Sequence, residues 1–333
     1  MDDYLRKAII SLIVAAAVIS ITTTLTNAQD ELQKINPLFF AISALLFILS
    51  MVVWIFSWAY LIKKNSKVSY KNLLKIGYSS IYGALTPVQL GAEALRSIQL
   101  KHYFKVPYQE SVSASMVVKG LKFLVLLLAS FFVMAFLFSQ VPMDAPVLIA
   151  FVSGFAVVAL ASFIFLLPLK KSFGLTIAAF FNSVSKIIRQ FSVLESFFKN
   201  YSSYLERTTI SALAVTFLLA VLSFVLEFLA LNFAFQAANV VISLKALAVL
   251  MILISILERT PILPRGVGIV ELVAFNFLSL PAFAAGLSTG QIGAAIIAFD
   301  LVRLVIPTIT SLIALFVFSR SFDSGIHKRK SLM

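Results

Sequence analysis

A set of charged residues interrupts segments of this chain that are otherwise apolar. The basic members are Arg96, Lys119, Lys122, Arg259, Arg265 and Arg303, and the acidic members are Glu93, Glu227, Glu258, Glu271 and Asp300. Basic side chains of this kind could bind a phosphate-bearing headgroup. The acidic side chains could pair with them or couple the movement of an ion. The simpler alternative is that they only form internal pairs, as Asp300 and Arg303 could do one helical turn apart.

Two short motifs break the apolar segments in a similar way. Residues 86–93 read TPVQLGAE, and residues 263–271 read LPRGVGIVE. In each motif a glycine follows the proline by four residues and a glutamate comes soon after. Proline and glycine permit a sharp turn, and the next residues can begin a half-helix whose N–H groups suit an anion. The predicted hairpin tips are Pro87, Gly91, Pro264, Gly266 and Gly268.

The composition places these residues in a membrane protein. The chain has 333 residues, of which 61% are hydrophobic and 12% are charged, whereas a soluble domain is about 45–50% apolar and about 25% charged. It has no cysteine and two histidines, so thiol chemistry is excluded and a metal site is not expected. The phosphate-binding Gly-x-x-x-x-Gly-Lys-Ser/Thr loop is absent. We therefore expect no cofactor.

The apolar runs predict an all-α integral membrane protein with about six spans and two re-entrant helical hairpins. A span needs about 20 apolar residues. The predicted spans are 8–25, 37–62, 121–138, 147–169, 210–235 and 293–318. Two further regions, 76–105 and 244–280, are apolar but broken by proline and glycine, as tolerated where the backbone is shielded or lines a wet cavity. Because broken half-helices commonly mark substrate sites, Arg96 and Arg265 beside the breaks are the strongest binding candidates.

The order of these segments predicts one membrane domain over residues 1–333 with an inverted-topology repeat. Span, hairpin and span occur at 37–138 and again at 210–318, with the hairpins entering from opposite sides. Residues 170–209 are predicted to form a cytoplasmic connector that contains one amphipathic helix, because apolar residues recur at helical spacing. Residues 319–333 form a basic cytoplasmic tail. We read the first segment as a retained span and not as a cleaved signal peptide, because its apolar run is long.

The distribution of charge predicts the orientation. The net charge is +13, and lysine and arginine concentrate after the second and fourth spans and in the tail. Basic loops lie on the cytoplasmic side, so we expect a multi-pass protein of the cell membrane with both termini in the cytoplasm. The membrane topology and the attraction to anionic lipids explain the excess of positive charge, so we do not expect nucleic acid as a partner.

The two motifs resemble the signatures of a known family. TPVQLGAEALR at 86–96 is similar to the Thr-Pro-x-x-x-Gly-Gly-Glu-Pro-x-Arg signature of the lysylphosphatidylglycerol synthase transmembrane region, a flippase-like family that includes the membrane half of the multiple peptide resistance factor. PRGVGIVE at 264–271, followed by an AxDxxRxxxP stretch at 298–307, resembles its second signature. The resemblance implies a flippase-like protein that moves a lipid between leaflets, with membrane lipids as its partners.

The sequence also departs from that family pattern. Ala92 and Ala94 replace the usual glycine and proline, and Val118, Lys119 and Lys122 stand where relatives commonly carry Glu-Arg and a later Asp. The resemblance then favours a phosphate-bearing or otherwise anionic headgroup. The chain has no soluble synthetic domain, so lysyl transfer does not follow from the family.

Two other kinds of function remain open. The first is a membrane-embedded transferase that uses Asp30 and Glu31, or Glu258, as a base. The second is a subunit that does not transport lipid but holds a separate lipid-modifying enzyme or glycosyltransferase at the membrane. Transport is the hypothesis that we favour, since the charged residues cluster at the two helix breaks.

Overall fold

The computed structural model describes residues 2–85, 91–136, 145–166, 168, 171–185, 192–258, 264–280 and 286–317, and every regular element in these ranges is helical. The helices are α1 (Asp2–Thr26), α2 (Gln29–Gln33), α3 (Pro37–Asn65), α4 (Tyr70–Ser79), α5 (Gly91–Phe104), α6 (Tyr108–Phe136), α7 (Ala145–Leu166), α8 (Lys171–Ser185), α9 (Ser192–Arg207), α10 (Ile210–Ala237), α11 (Leu244–Leu257), α12 (Ile269–Leu278) and α13 (Thr289–Val317). The prediction of an all-α chain is confirmed over these residues.

Four of the helices are long and apolar enough to cross a membrane. They are α3, α6, α10 and α13, and they coincide with four of the six predicted spans. The other two predicted spans fall on α1 and α7, whose apolar segments in the described part of the chain are the shorter Leu12–Thr26 and Phe151–Leu166. The helices indicate a membrane protein, and the count of six spans stays a prediction.

Helices α3 and α10 form a central antiparallel pair. At one end the Asn36 amide donates to the Ala237 carbonyl at 2.8 Å, and at the other Lys64 Nζ donates to Thr209 Oγ1 at 3.1 Å. Between these ends, small residues recur every seven positions along the contact. They are Ser43, Ser50 and Ser57 on α3 and Thr216, Ser223 and Ala230 on α10, all of them buried. Small side chains let the backbones approach closely, as in many membrane helix pairs.

Sequence signals explain why both helices begin where they do. Asn36 precedes α3, and its Oδ1 accepts from the amides of Leu38 and Phe39 at 3.0 and 3.3 Å. Pro37 occupies the first helical position, where its missing N–H costs nothing. Thr209 caps α10 in the same way by accepting from the Ala212 amide at 3.3 Å. The ends of the central pair are therefore fixed by local caps as well as by packing.

Each predicted hairpin is a pair of short helices separated by a break. Helices α4 and α5 have 10 and 14 residues, and α11 and α12 have 14 and 10. At 1.5 Å per residue, none of them is long enough to cross roughly 30 Å of hydrocarbon. Two 3-10 turns, Ile81–Leu85 after α4 and Pro264–Gly266 before α12, lie against each other. The structure thus brings together the two breaks, which are far apart in the sequence.

The connector between α7 and α10 contains two helices, α8 and α9, that pack on each other. Phe181 of α8 and Phe198 of α9 stack with ring centroids 5.4 Å apart. A Cβ at Gly174 would lie 1.6 Å from Ser202 Oγ, so the helices touch closely there. Part of the apolar face of α8 therefore packs on α9, and its place relative to the membrane stays a prediction. Residues 186–191 and the tail at 319–333 lie outside the described residues.

Candidate functional site

Arg96 of α5 is held between the only two tryptophans of the chain. Its guanidinium carbon lies 4.8 Å from the ring centroid of Trp54 and 5.1 Å from that of Trp58. These tryptophans are four residues apart on α3, so both rings project from the same face. Arg96 is 1% exposed. Its Nε and Nη2 have no hydrogen-bond partner within the residues that the structure describes. The site therefore holds a buried positive charge with two donors available for an anion.

Two ion pairs surround this arginine. Lys119 Nζ of α6 lies 3.0 Å from Glu93 Oε1 of α5. Lys122 Nζ lies 2.6 Å from Glu227 Oε1 of α10 and 5.7 Å from the Trp54 ring centroid. Both lysine side chains are therefore largely buried and paired with a carboxylate of another helix. We call Glu93, Arg96, Lys119, Lys122 and Glu227 the first cluster.

The first cluster has an excess of positive charge. Arg96, Lys119 and Lys122 carry three positive charges against the two negative charges of Glu93 and Glu227, among the residues that the structure describes. Among the residues that the structure describes, Arg96 Nε and Nη2 and Glu93 Oε2 have no hydrogen-bond partner. Burial makes an uncompensated charge costly unless an opposite charge or water reaches it. The arrangement can therefore accept an anionic group.

A second cluster surrounds Arg303 on α13, which is fully buried. Its Nε donates to Asp300 Oδ1 at 2.7 Å, its Nη1 to Glu258 Oε1 at 2.9 Å and its Nη2 to Glu271 Oε1 at 2.8 Å. The Nη1 group also donates to the Arg265 carbonyl at 3.1 Å. We call Glu258, Arg265, Glu271, Asp300 and Arg303 the second cluster. The Arg303 guanidinium of α13 thus contacts the end of α11, the turn before α12 and the start of α12.

Arg265 replaces a backbone hydrogen bond that proline removes. In a regular helix the carbonyl of Arg303 would accept from the amide of residue 307, but Pro307 has no N–H. Arg265 Nη1 donates to that carbonyl instead. The same part of α13, Leu301–Val305, is a π-helical turn, a feature often found at functional sites. Backbone groups freed in a membrane helix need such partners.

The turn that carries Arg265 has an unusual backbone. Arg265, Gly266 and Gly268 have φ angles of 49°, 68° and 92°. Such angles suit glycine and are rare for arginine. The Arg303 carbonyl and carboxylate Glu258, 3.9 Å from Arg265 Nη2, hold the arginine in this conformation. The Gly268 amide donates to Glu271 Oε2, which caps the start of α12.

The first break also depends on glycines. Gly91 begins α5 and is buried. A Cβ at Gly83 would lie 2.7 Å from the Gly91 carbonyl carbon, so the two chain segments touch at that point. The Tyr82 amide donates to Ser311 Oγ of α13 at 3.0 Å, which attaches the turn to the second half of the chain. Pro87 and Arg259, two of the predicted site residues, lie outside the described residues.

The two clusters share one arrangement. In each, a glutamate near the start of the helix after the break pairs with a cation on the next long helix: Glu93 with Lys119, and Glu271 with Arg303. The sequence analysis found these four residues. It missed Trp54. The only two tryptophans in the sequence are four residues apart, which places them on one face of a helix, and this spacing could have indicated the site.

Two of the three acidic residues considered as a catalytic base form ion pairs. Glu31 lies 2.9 Å from Lys34 Nζ on the same short segment, and Glu258 lies 2.9 Å from Arg303 Nη1. The geometry thus favours pairing over a transferase mechanism for these residues.

Comparison with known proteins gives one finding. The family model described as "Lysylphosphatidylglycerol synthase TM region" matches residues 8–311. That range contains both clusters and both helix breaks. No curated protein and no solved structure matches the chain.

Proposed function

Because this chain belongs to the family of the lysylphosphatidylglycerol synthase transmembrane region, we propose that it moves a lipid with a phosphate-bearing headgroup between the two leaflets of the cell membrane. In this proposal the headgroup passes through the protein near the two helix breaks while the acyl chains stay in the hydrocarbon. In this proposal any enzyme that modifies the lipid acts as a partner of the membrane domain. The partners are therefore membrane lipids and, where the lipid is modified, that enzyme.

The proposal rests mainly on the surroundings and the hydrogen-bond donors of Arg96. A guanidinium that stacks between two rings keeps its edge, with its N–H donors, free for a ligand in the same plane. Phosphate oxygens accept such donors strongly, often two at a time. In Arg96 the Nε and Nη2 donors are buried and have no partner among the residues that the structure describes. Glu93 and Lys119 next to it could take part in the binding of a zwitterionic or aminoacylated headgroup.

The arrangement of the helices supports alternating access between two repeats. Helices α3 and α10 begin the two proposed repeats, 37–138 and 210–318, and they run antiparallel. Equivalent helices of an inverted repeat run in opposite directions through the membrane. In our proposal α4 and α5 form a re-entrant hairpin from the cytoplasmic side, and α11 and α12 form one from the outside. Movement of one repeat against the other would expose the headgroup site to each leaflet in turn.

The two clusters take different parts in this mechanism. The first cluster binds the headgroup, because it has the open donors and the excess of positive charge. In the second cluster, Arg303 already makes hydrogen bonds through all three of its nitrogens, so we assign it to holding the second hairpin in place. Movement would be downhill or coupled to an ion that changes the pairing of Glu227 or Glu271.

Leaflet exchange in proteoliposomes tests the proposal. Purified protein is reconstituted with a trace of fluorescent phospholipid, and an impermeant quencher is added. We expect quenching beyond the outer-leaflet fraction for the wild type and quenching close to that fraction for Arg96→Gln. Lys101→Gln is the matched control, because Lys101 lies on the same helix and is exposed; it should behave as the wild type.

The lipids in this test are an anionic phospholipid, an aminoacylated phospholipid and a polyprenyl phosphate. If the wild type stops at the outer-leaflet fraction with all three, transport is wrong. A stable enzyme that co-purifies with the chain would then favour the scaffold function. Thermal unfolding of Arg96→Gln shows whether a loss of exchange comes from the site or from a loss of the fold.

A further inference from the structure

An apolar groove lies between α3, α4 and α13, at some distance in the sequence from both clusters. Val52 and Ile55 of α3, Leu74 of α4 and Ala314 of α13 line it, and its volume is about 380 Å³. This volume falls within the range of roughly 300–1,000 Å³ that is usual for ligand sites. The groove is open on one side. Its lining suits a hydrocarbon chain.

Two lysines stand along one edge of the groove. Lys71 and Lys75 both line it, and their spacing of four residues places them on the same face of α4. Lys71 is exposed and Lys75 is half-buried. Tyr78 follows on the same face, and its hydroxyl lies 2.8 Å from Thr310 Oγ1 of α13. From Lys71 to Tyr78 the helix rises roughly 10 Å, so the groove has a positively charged end and an end that is closed by a hydrogen bond.

The charged end lies where a headgroup region is expected. Phe56 and Tyr70 stack with ring centroids 5.5 Å apart, and aromatic residues gather at the boundary between hydrocarbon and water. At such a boundary, lysines such as Lys71 extend their ammonium groups to the lipid phosphates while their methylene stems stay in contact with apolar surface.

We propose that this groove binds one anionic phospholipid, with an acyl chain along Val52, Leu74 and Ala314 and its phosphate at Lys71 and Lys75. The positive edge selects the anionic headgroup, and the apolar lining selects a molecule with a tail over a free phosphate ion. None of the residues that line the groove belongs to the first or the second cluster. It does not depend on whether the protein transports lipid.

Native mass spectrometry of the detergent-solubilised full chain tests this inference. Phosphatidylglycerol is titrated against phosphatidylcholine with the same acyl chains. We expect at least one phosphatidylglycerol to bind roughly tenfold more tightly than phosphatidylcholine. Lys71→Gln with Lys75→Gln should abolish this preference, since each lysine near a headgroup contributes about fivefold in affinity. Lys63→Gln with Lys67→Gln removes the same charge from residues that do not line the groove and should keep the preference.

A steric variant makes the test independent of charge. Ala314→Phe fills the groove and should lower binding of phosphatidylglycerol at least tenfold while Lys71 and Lys75 remain. Equal binding of the two lipids to the wild type would overturn the inference. The inference is also overturned if Lys63→Gln with Lys67→Gln loses the preference as fully as Lys71→Gln with Lys75→Gln. It is overturned as well if Ala314→Phe binds phosphatidylglycerol as tightly as the wild type does. The assay measures binding alone, so a failure of leaflet exchange leaves its outcome unchanged.

Discussion

Lys122 and Glu227 show how single residues stabilise this fold. They come from helices α6 and α10, and their side chains are 15% and 9% exposed. Ser50 Oγ of α3 donates to the same Glu227 oxygen at 3.0 Å. A charge in such a place is tolerated because its partner is present, and removal of one partner leaves the other buried without compensation.

Glu227→Gln should therefore lower the free energy of unfolding by about 3–5 kcal/mol. Addition of Lys122→Met to this variant should recover much of the loss, because the second change removes the uncompensated charge. Thermal or chemical unfolding in detergent measures both effects. The matched control is Glu31→Gln, which breaks the exposed pair with Lys34, whose side chain is 61% exposed; we expect a change of at most about 1 kcal/mol. If the double variant is no more stable than Glu227→Gln, the pair does not act as described.

Arg265 and Pro307 give a second test at this scale. Arg265→Met leaves the Arg303 carbonyl without its donor, which should cost about 1–3 kcal/mol. In a Pro307→Ala background, the new amide of residue 307 can donate to that carbonyl, and the same substitution at Arg265 should cost less. The contact of Arg265 with Glu258 is lost in both backgrounds and cancels in the comparison. Equal costs in the two backgrounds would contradict the proposed replacement of the hydrogen bond.

At the scale of elements, the antiparallel pair of α3 and α10 organises the chain. Ser43 Oγ donates to the Ala230 carbonyl at 2.6 Å, and Ser50 and Ser223 lie with their hydroxyl oxygens 3.3 Å apart. The buried small residues at these positions let the two helices approach closely.

Ala230→Leu should separate α3 from α10 and lower the free energy of unfolding by at least about 1–3 kcal/mol, because overpacking forces the helices apart. Ala214→Leu makes the same chemical change at an exposed position of the same helix and should have little effect. Thermal unfolding of the two variants gives the comparison. Similar losses in both would mean that the contact is not close-packed.

The prediction of elements from the sequence succeeded where the signal was local. The breaks at Gly91 and at Pro264 were predicted, because proline and glycine interrupt an apolar run visibly. The seven-residue repeat of Ser43, Ser50 and Ser57 was missed. In a membrane span the side that faces lipid is as apolar as the side that faces protein, so apolar periodicity does not show the contact face.

At the scale of the whole molecule, the proposed orientation makes a direct prediction. The end of α3 should lie in the cytoplasm and the loop after α10 outside. The chain contains no cysteine, so Asn65→Cys and Val241→Cys each give one labelling site; both positions are exposed. An impermeant thiol reagent added to intact cells should label Val241→Cys and leave Asn65→Cys unlabelled until the membrane is opened. Labelling of both positions from one side would contradict the topology.

Part of the candidate site could be predicted from the sequence, and the rest depends on the fold of the whole molecule. Charged residues in apolar segments are conspicuous, so Arg96, Lys122 and Glu227 were found. Their pairing was not predicted, because Lys122 and Glu227 are 105 positions apart and only the fold brings them together. The place of Arg96 between Trp54 and Trp58 depends in the same way on the packing of α5 against α3.

The reciprocal bonds between Arg265 and Arg303 have a mechanical consequence. Each side chain donates to the backbone carbonyl of the other residue, and three carboxylates complete the network. These bonds fix the turn before α12, whereas Arg96 of α5 has two donors without a partner among the residues that the structure describes. If the two halves move relative to each other, they do so unequally. The second hairpin would stay fixed. The first hairpin would move when an anion binds at Arg96 or leaves it.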